Sequence, residues 1–315
     1  MSEPVVPPSP AAQVIQPRAA SHARRPPPLG RDFGPAMLFI LPALIGFAVF
    51  FLYPAIRAVI VSFTSWNLLN PPQNVGFHNY QHALTSPHFW HALWVTVLYV
   101  LYNIPIQTVL ALLVAILIHR TTKSVLIRAL ILVPYLLSSV VAGLLWLWML
   151  NPVLGILNAI IAHLGFGHQA FFGSPQQALA SVAAVNIWQF LGFNAILIFA
   201  GLQSIPAEIY EAAAIDGAGE LTLFGRITLP LLRPVLVFVL VTSIVGSFQI
   251  FATITVTTQG GPANATNVIV WYIYQNAFQF LKMGYATATS LILFVLLLFF
   301  TILQFRLLRG GESDL

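Results

Sequence analysis

Charge is what this sequence has least of. Only 7% of its residues are Asp, Glu, Lys or Arg, against about 25% in an ordinary soluble domain. With 58% apolar residues, such a chain is solvated mainly by lipid. Its 315 residues therefore divide into membrane spans rather than soluble domains. Cysteine is absent, which excludes disulfides, thiol catalysis and Cys-based metal sites. A phosphate-binding loop is missing as well. That loop needs a Gly-rich turn running into Gly-Lys-Ser/Thr, and the lone Lys123-Ser124 lacks the glycines. No basic run is longer than Arg24-Arg25, and no basic patch is interleaved with aromatics. The net charge of +5 thus points to the cytoplasmic bias of membrane proteins and not to nucleic acid.

What is present is a series of apolar runs. Six spans are expected at about 36–60, 92–118, 127–150, 178–203, 232–257 and 285–307, each near the ~20 residues a helix needs to cross. Together they predict an all-α integral membrane protein. Pro42, Pro54, Pro105 and Pro134 lie in or near spans and are expected to kink the helices rather than break them. Residues 1–30 are rich in Pro and cannot bury a core, so they read as a disordered tail. The apolar run that follows is too long for a cleaved signal peptide and ends in no small-residue site. The spans occupy a domain of residues 31–309, and 310–315 form a second tail.

Orientation follows from the cations. Arg18, Arg24, Arg25 and Arg31 precede span 1; Arg120 and Lys123 separate spans 2 and 3; Arg226 and Arg233 separate spans 4 and 5; Arg306 and Arg309 follow span 6. The opposite loops have only Arg57 and Lys282 nearby. Both termini are therefore expected to be cytoplasmic. All eight carboxylates fall on the same side: Glu3, Asp32, Glu208, Glu211, Asp216, Glu220, Glu312 and Asp314. None lies within a span, which argues against a proton relay of the kind that ion-coupled pumps use. An ion-coupled (secondary) transporter of small polar solutes stays open as the alternative, through sodium coordination by backbone carbonyls.

The polar insert at 204–231 interrupts this pattern. Pro206, Glu208 and Glu211 suit a helix start, since Pro fits the first turn and acids complement the positive helix end. Ala212, Ala213 and Ala214 favour helix and present a small flat surface. Gly217 can take the left-handed conformation that ends a helix. A second short helix with Leu223, Phe224 and Ile227 on one side is expected, with Pro230 and Pro234 leading into span 5. The outcome is a helix–turn–helix at the membrane surface.

The spacing of that insert is specific. Glu211-Ala212-Ala213, three residues, Gly217, nine residues, then Ile227-Thr228-Leu229-Pro230 resembles the signature of ABC-importer permeases. The likeness extends to Gly76-Phe77-His78-Asn79-Tyr80, Asn151-Pro152 with Gly155 and Asn158, Ala200 to Pro206, Gly260-Gly261-Pro262 and Gly284-Tyr285-Ala286. These segments resemble the carbohydrate-uptake branch, the maltose and glycerol-3-phosphate type. One departure is Ala252, where many relatives have an acid. The resemblance implies a type I ABC importer permease fold. It implies that Glu211, Ala212, Ala213, Asp216, Gly217, Ile227 and Pro230 dock on a cytoplasmic ATPase. It further implies an ATPase dimer that carries ATP and Mg, with no cofactor on this chain; a second homologous permease; an external solute-binding protein; a sugar substrate; and a bacterial inner-membrane location. The chain itself would be no enzyme.

A pathway is sought on spans 4 and 5. Asn186, Gln189, Phe190, Phe193 and Asn194 fall on one side of a helix at 100° per residue. Span 5 adds Ser243, Gly246, Ser247, Gln249 and Thr253. Aromatic faces with amides and hydroxyls suit a sugar, while small and polar residues also serve to pack membrane helices. The candidate pathway residues are Asn186, Gln189, Phe193, Asn194, Gln249 and Thr253. Trp146 and Trp148 suit an interfacial belt. His78 and His82 have helical i,i+4 spacing but no neighbouring carboxylate or Cys, so a metal site is not expected.

Overall fold

The computed structural model describes residues 33–122 and 124–309. The sequence-predicted tails 1–30 and 310–315 lie outside the described residues, as does Lys123. The chain divides into two compact units, Met1–Pro54 and Ala55–Leu315. Within the described residues the first unit is helical, with Pro42 inside Phe33–Phe47 and a π-helical turn over Ala48–Leu52 just before Pro54.

Among the described residues, five helices are long and apolar enough to cross a membrane. They are α1 (Met37–Ser62), α3 (Pro87–Thr121), α7 (Ala178–Gln203), the span Arg233–Thr257 and the final helix from Met283. A sixth candidate is the pair α4 (Val125–Leu136) and α5 (Ser139–Met149), which meet at 90°. Shorter elements fill the gaps: α2 (His78–Thr85), α6 (Ile156–Phe166), α8 (Ala207–Ile215) and α9 (Glu220–Leu223). The fifth span is itself interrupted, as α10 (Arg233–Phe248) and α11 (Ala252–Thr257). Then come α12 (Ile269–Tyr274), which continues through a π-helical turn to Gln279, and α13 (Met283–Arg309).

Proline marks one difference from expectation. Pro105 sits inside the unbroken α3. Just after Pro134 the chain breaks instead of kinking. Leu137 and Ser138 are extended, with ψ of 141° and 139°, and they turn the chain through the right angle between α4 and α5. The helix runs through Pro134 to Leu136 before the turn, and Gln189 of α7 takes up the carbonyl of Leu137. A further helix, α12, stands where the sequence suggested only a turn and loop. Its first amide, Ile269 N, donates to the buried hydroxyl of Thr96 at 2.8 Å.

The core is built around α3 and α7, which pack along each other. One apolar cluster joins Tyr99, Val182, Val185, Ile254 and Trp271. A second joins Ala111, Ala115, Ile198, Phe199 and Leu232. Trp146 belongs to the first, edge-on to Trp188 at 5.5 Å; Trp148 is exposed. Only the latter matches an interfacial placement.

The loop between α1 and α2 is held by a clamp. Strands β1 (Thr64–Ser65) and β2 (Gln73–Asn74) pair antiparallel. Asn79 donates both amide hydrogens, to Ser62 O at 2.8 Å and Thr64 O at 2.9 Å. Tyr80 Oη lies 2.6 Å from Ser62 Oγ. Met283 N donates to Trp66 O at 2.9 Å, bringing the start of α13 against this loop. A Cβ on Gly284 would overlap the Thr64 carbonyl oxygen, so only glycine permits the approach. From this end α3, with 35 residues, runs about 50 Å at 1.5 Å per residue to the polar insert.

Candidate functional site

The insert folds as a helical hairpin. Pro206 stands at the N-cap of α8 in an extended conformation. Glu208, Glu211, Ala212 and Ile215 follow at spacings that place them on one face, and all four are exposed. Ile215 is 87% exposed. Gly217 ends the helix at φ +78°. Ala218 N donates to Ala213 O at 3.0 Å and Gly217 N to Ala214 O at 3.1 Å. That pair of bonds is a Schellman cap, which needs a left-handed residue where Gly217 sits. Asp216 is the exposed C-cap residue.

The return leg runs through α9 and a π-helical turn, Phe224–Thr228. Tyr210 turns inward, with Oη 3.1 Å from Thr228 Oγ1, and so stitches α8 to that leg. Leu223, Phe224 and Ile227 are half-buried, as is Ala213. Pro230 lies exposed in the short turn Leu229–Leu231. Arg120, at the end of α3, reaches Glu220 Oε2 at 3.0 Å. Both side chains are largely exposed, so the pair is worth only ~0–1 kcal/mol. Four carboxylates, Glu208, Glu211, Asp216 and Glu220, are the acids among the described residues, and all belong to this hairpin.

Within the membrane-spanning part, α3, α4, α7 and α10 enclose a cavity of about 160 Å³. Asn186, Phe190, Phe193 and Asn194 line it from α7. Gln107 and Tyr135 contribute from α3 and α4, and Ser243 and Ser247 from α10. Tyr135 stacks on Phe193, with ring centroids 4.4 Å apart and planes at 12°. Behind the wall, Asn103 donates to Asn186 Oδ1 and to Ser247 Oγ, each at 2.9 Å. Asn194 Nδ2 donates to Ser243 Oγ at 3.3 Å. Aromatic faces beside amides and hydroxyls can stack on C–H surface and hydrogen-bond to a polyol.

Of the six predicted pathway residues, the structure brings Asn186, Phe193 and Asn194 together and leaves three elsewhere. Gln189 is buried and donates from Nε2 to Leu137 O at 2.8 Å. On the α7 wheel it lies about 60° from Asn186 toward α4, whereas Asn194 lies about 80° the other way toward α10. Thr253 is buried in α11 against Gly143 of α5. Gln249 is exposed at the interruption after α10. Sequence reasoning missed Asn103, Gln107 and Tyr135. The signal for the first two was available: amides four residues apart in an apolar run, which lipid makes costly. Among the described residues no group of three or more His, Cys, Asp or Glu is placed to hold a metal.

The chain is similar to known transport proteins over most of its length. Residues 83–310 match the family described as binding-protein-dependent transport system inner membrane component. The sulfoquinovosyl glycerol transport system permease protein of Agrobacterium fabrum is 35% identical over 280 residues, covering 88% of this chain and 91% of that one. The arabinooligosaccharides transport system permease protein of Bacillus subtilis is 34% identical over 281 residues, covering 88% and 89%. The trehalose/maltose transport system permease protein of Thermococcus litoralis is 33% identical over 274 residues, covering 86% and 92%. Among solved structures, a bacterial ABC transporter for import of the acidic polysaccharide alginate matches with a TM-score of 0.77 at 25% identity, over 90% of this chain and 97% of that one. The ion-coupled alternative finds no support among these relatives. The chain belongs to the family of binding-protein-dependent transport system inner membrane components, as a multi-pass ABC importer permease of the type I fold.

Proposed function

We propose that this chain is one of two membrane-spanning subunits of an ATP-driven carbohydrate importer in a bacterial inner membrane. Both termini would be cytoplasmic, in keeping with the cation distribution. Its partners would be a second homologous permease, a cytoplasmic ATPase dimer that carries ATP and Mg, and an external solute-binding protein. Three relatives named for sulfoquinovosyl glycerol, arabinooligosaccharides and trehalose/maltose support a carbohydrate cargo. A second solved structure, a bacterial alginate ABC transporter in complex with an alginate pentasaccharide-bound periplasmic protein, supports the external partner.

The observation that carries the reading is the exposed face of α8. Glu211 and Ala212 stand on it beside Ile215, an apolar side chain 87% exposed. Such a face suits a groove on a soluble protein with a basic residue for Glu211. The assigned coupling residues are Glu211, Ala212, Asp216 and Gly217 on the exposed side and end of α8, with Ala213, Ile227 and Pro230 shaping the hairpin. Asn186, Phe193 and Asn194 are assigned to the substrate pathway, together with Tyr135 and Gln107. Movement of the hairpin during the ATPase cycle would reach the spans through α10, which follows it directly. The test is sugar uptake by the complex reconstituted in vesicles. Uptake that needs both ATP inside and binding protein outside supports the reading; uptake that persists without the ATPase overturns it.

A further inference from the structure

We propose that a cleft at the outer end of the molecule receives an acidic loop of the external binding protein, with His78, His82 and Lys282 reading its charge. The inference rests on the importer reading above and goes beyond it by naming the seat and its chemistry.

The cleft has a volume of about 550 Å³ and lies between α2 with its preceding loop and the start of α13. His78 and His82 stand one turn apart on α2, their rings stacked with centroids 6.4 Å apart and planes at 16°. Both are exposed. Lys282 stands exposed on the other side, immediately before α13. Trp66 and Phe280 supply aromatic wall. Among the described residues, no carboxylate lines the cleft. The acids among the described residues all lie in the cytoplasmic hairpin, at the far end of α3, about 50 Å off by helix rise. A surface with one ammonium, two imidazole rings able to donate hydrogen bonds and no carboxylate is complementary to a negative partner, and such complementarity governs encounter and register.

Three features favour a protein loop over a small anion or a lipid headgroup. The volume exceeds what one small anion fills. The walls come from residues that precede Pro87 or adjoin Met283, so they belong to the outer loops and the first turn of α13 rather than to the lipid-facing length of the spans. The cleft is also preformed. Asn79 fixes one side through Ser62 O and Thr64 O, and Met283 N ties the other to Trp66 O. Rigid walls lower the ordering cost of binding. The cleft is moreover connected to the spans. His82 packs edge-on to Tyr285 at 4.8 Å, and Tyr285 Oη is 2.9 Å from Tyr272 Oη of α12. An occupant pressing on His82 therefore bears on the outer ends of α12 and α13.

The test uses the whole importer in nanodiscs of neutral phosphatidylcholine. It measures the concentration of substrate-loaded cognate binding protein that half-maximally stimulates ATP hydrolysis. We expect Lys282→Glu, and separately the triple change His78→Ala, His82→Ala, Lys282→Ala, to raise that concentration about tenfold or more and to flatten its salt dependence. For Lys282→Glu the rate at saturating binding protein should stay within about twofold, because a rim charge acts mainly on encounter. Lys282→Arg should behave as wild type. Wild-type complex that the binding protein fails to stimulate would overturn the importer reading and this inference with it. Stimulated wild type with an unchanged half-maximal concentration in both variants would overturn the inference alone. A difference that emerges only when anionic lipid is added would assign the cleft to a lipid headgroup, and that too overturns it.

Discussion

Gln189 Nε2 lies 2.8 Å from the Leu137 carbonyl oxygen, across the right-angled turn between α4 and α5. A helix that bends this sharply in a membrane leaves backbone acceptors without partners, and lipid offers none. The α7 amide fills that need. The bend in turn places Tyr135, two residues before Leu137, flat against Phe193 at the cavity. The position read from sequence as part of a pathway thus shapes the cavity from behind.

Replacement of Gln189 by Leu should therefore destabilise the protein without changing any cavity-lining residue. Leaving the buried Leu137 acceptor unpaired costs about 1–3 kcal/mol. Thermal inactivation of the detergent-solubilised complex should shift to lower temperature, and a Gln189→Leu variant as stable as wild type would show that water or local rearrangement satisfies the bend instead.

Gly284→Ala tests the clamp on the loop between α1 and α2. The new methyl group would meet the Thr64 carbonyl oxygen, which is backbone and held by Asn79. Overpacking of this kind costs about 1–3 kcal/mol. The expected sign is lower thermal stability with faster proteolytic nicking of the loop between about residues 66 and 74, where chain ordering depends on the clamp. Unchanged protease sensitivity would mean that the loop is fixed by its other contacts.

Much of this was legible in the sequence, and for identifiable reasons. Long apolar runs report their own spans, since lipid forces every backbone group to pair internally. The hairpin was legible because Pro206, the alanines and Gly217 each favour one local conformation, and Gly217 takes the positive φ its place demands. What the sequence concealed depends on contacts between distant segments. Pro105 and Pro134 look alike in sequence, yet only after the second does the helix break. Asn186 and Gln189 share one side of α7, and only their neighbours, α3 for the one and α4 for the other, separate a cavity residue from a structural one. Gly284-Tyr285 and Asn79-Tyr80 carry family likeness, but their joint role in one clamp is visible only in three dimensions.

Asn103 bonds Asn186 and Ser247 at once, so Asn103→Ala should loosen two helix contacts and release a cavity side chain. Bonds between membrane helices average about 0.6 kcal/mol each, which predicts a small stability loss of ~1 kcal/mol. The larger effect should fall on transport: a severalfold higher half-saturating substrate concentration for uptake with normal membrane levels. An unchanged uptake curve would remove Asn186 from the pathway.

Glu211→Arg addresses the coupling face. The residue is exposed, and the cap bonds at Ala218 and Gly217 and the Tyr210–Thr228 contact hold the hairpin without it. Folding and membrane insertion should therefore be preserved. A docked ATPase would meet a reversed charge, and loss of one member of a buried interfacial pair costs about 2–5 kcal/mol, a reduction in affinity of tenfold or far more. Uptake should fall to background, and the ATPase should no longer copurify. Glu220→Arg is the informative control. It breaks only the exposed pair with Arg120, worth ~0–1 kcal/mol, and should leave most uptake intact. Equal losses from the two variants would mean that the net charge of the hairpin, and not the face built from Glu211, Ala212 and Ile215, sets the coupling.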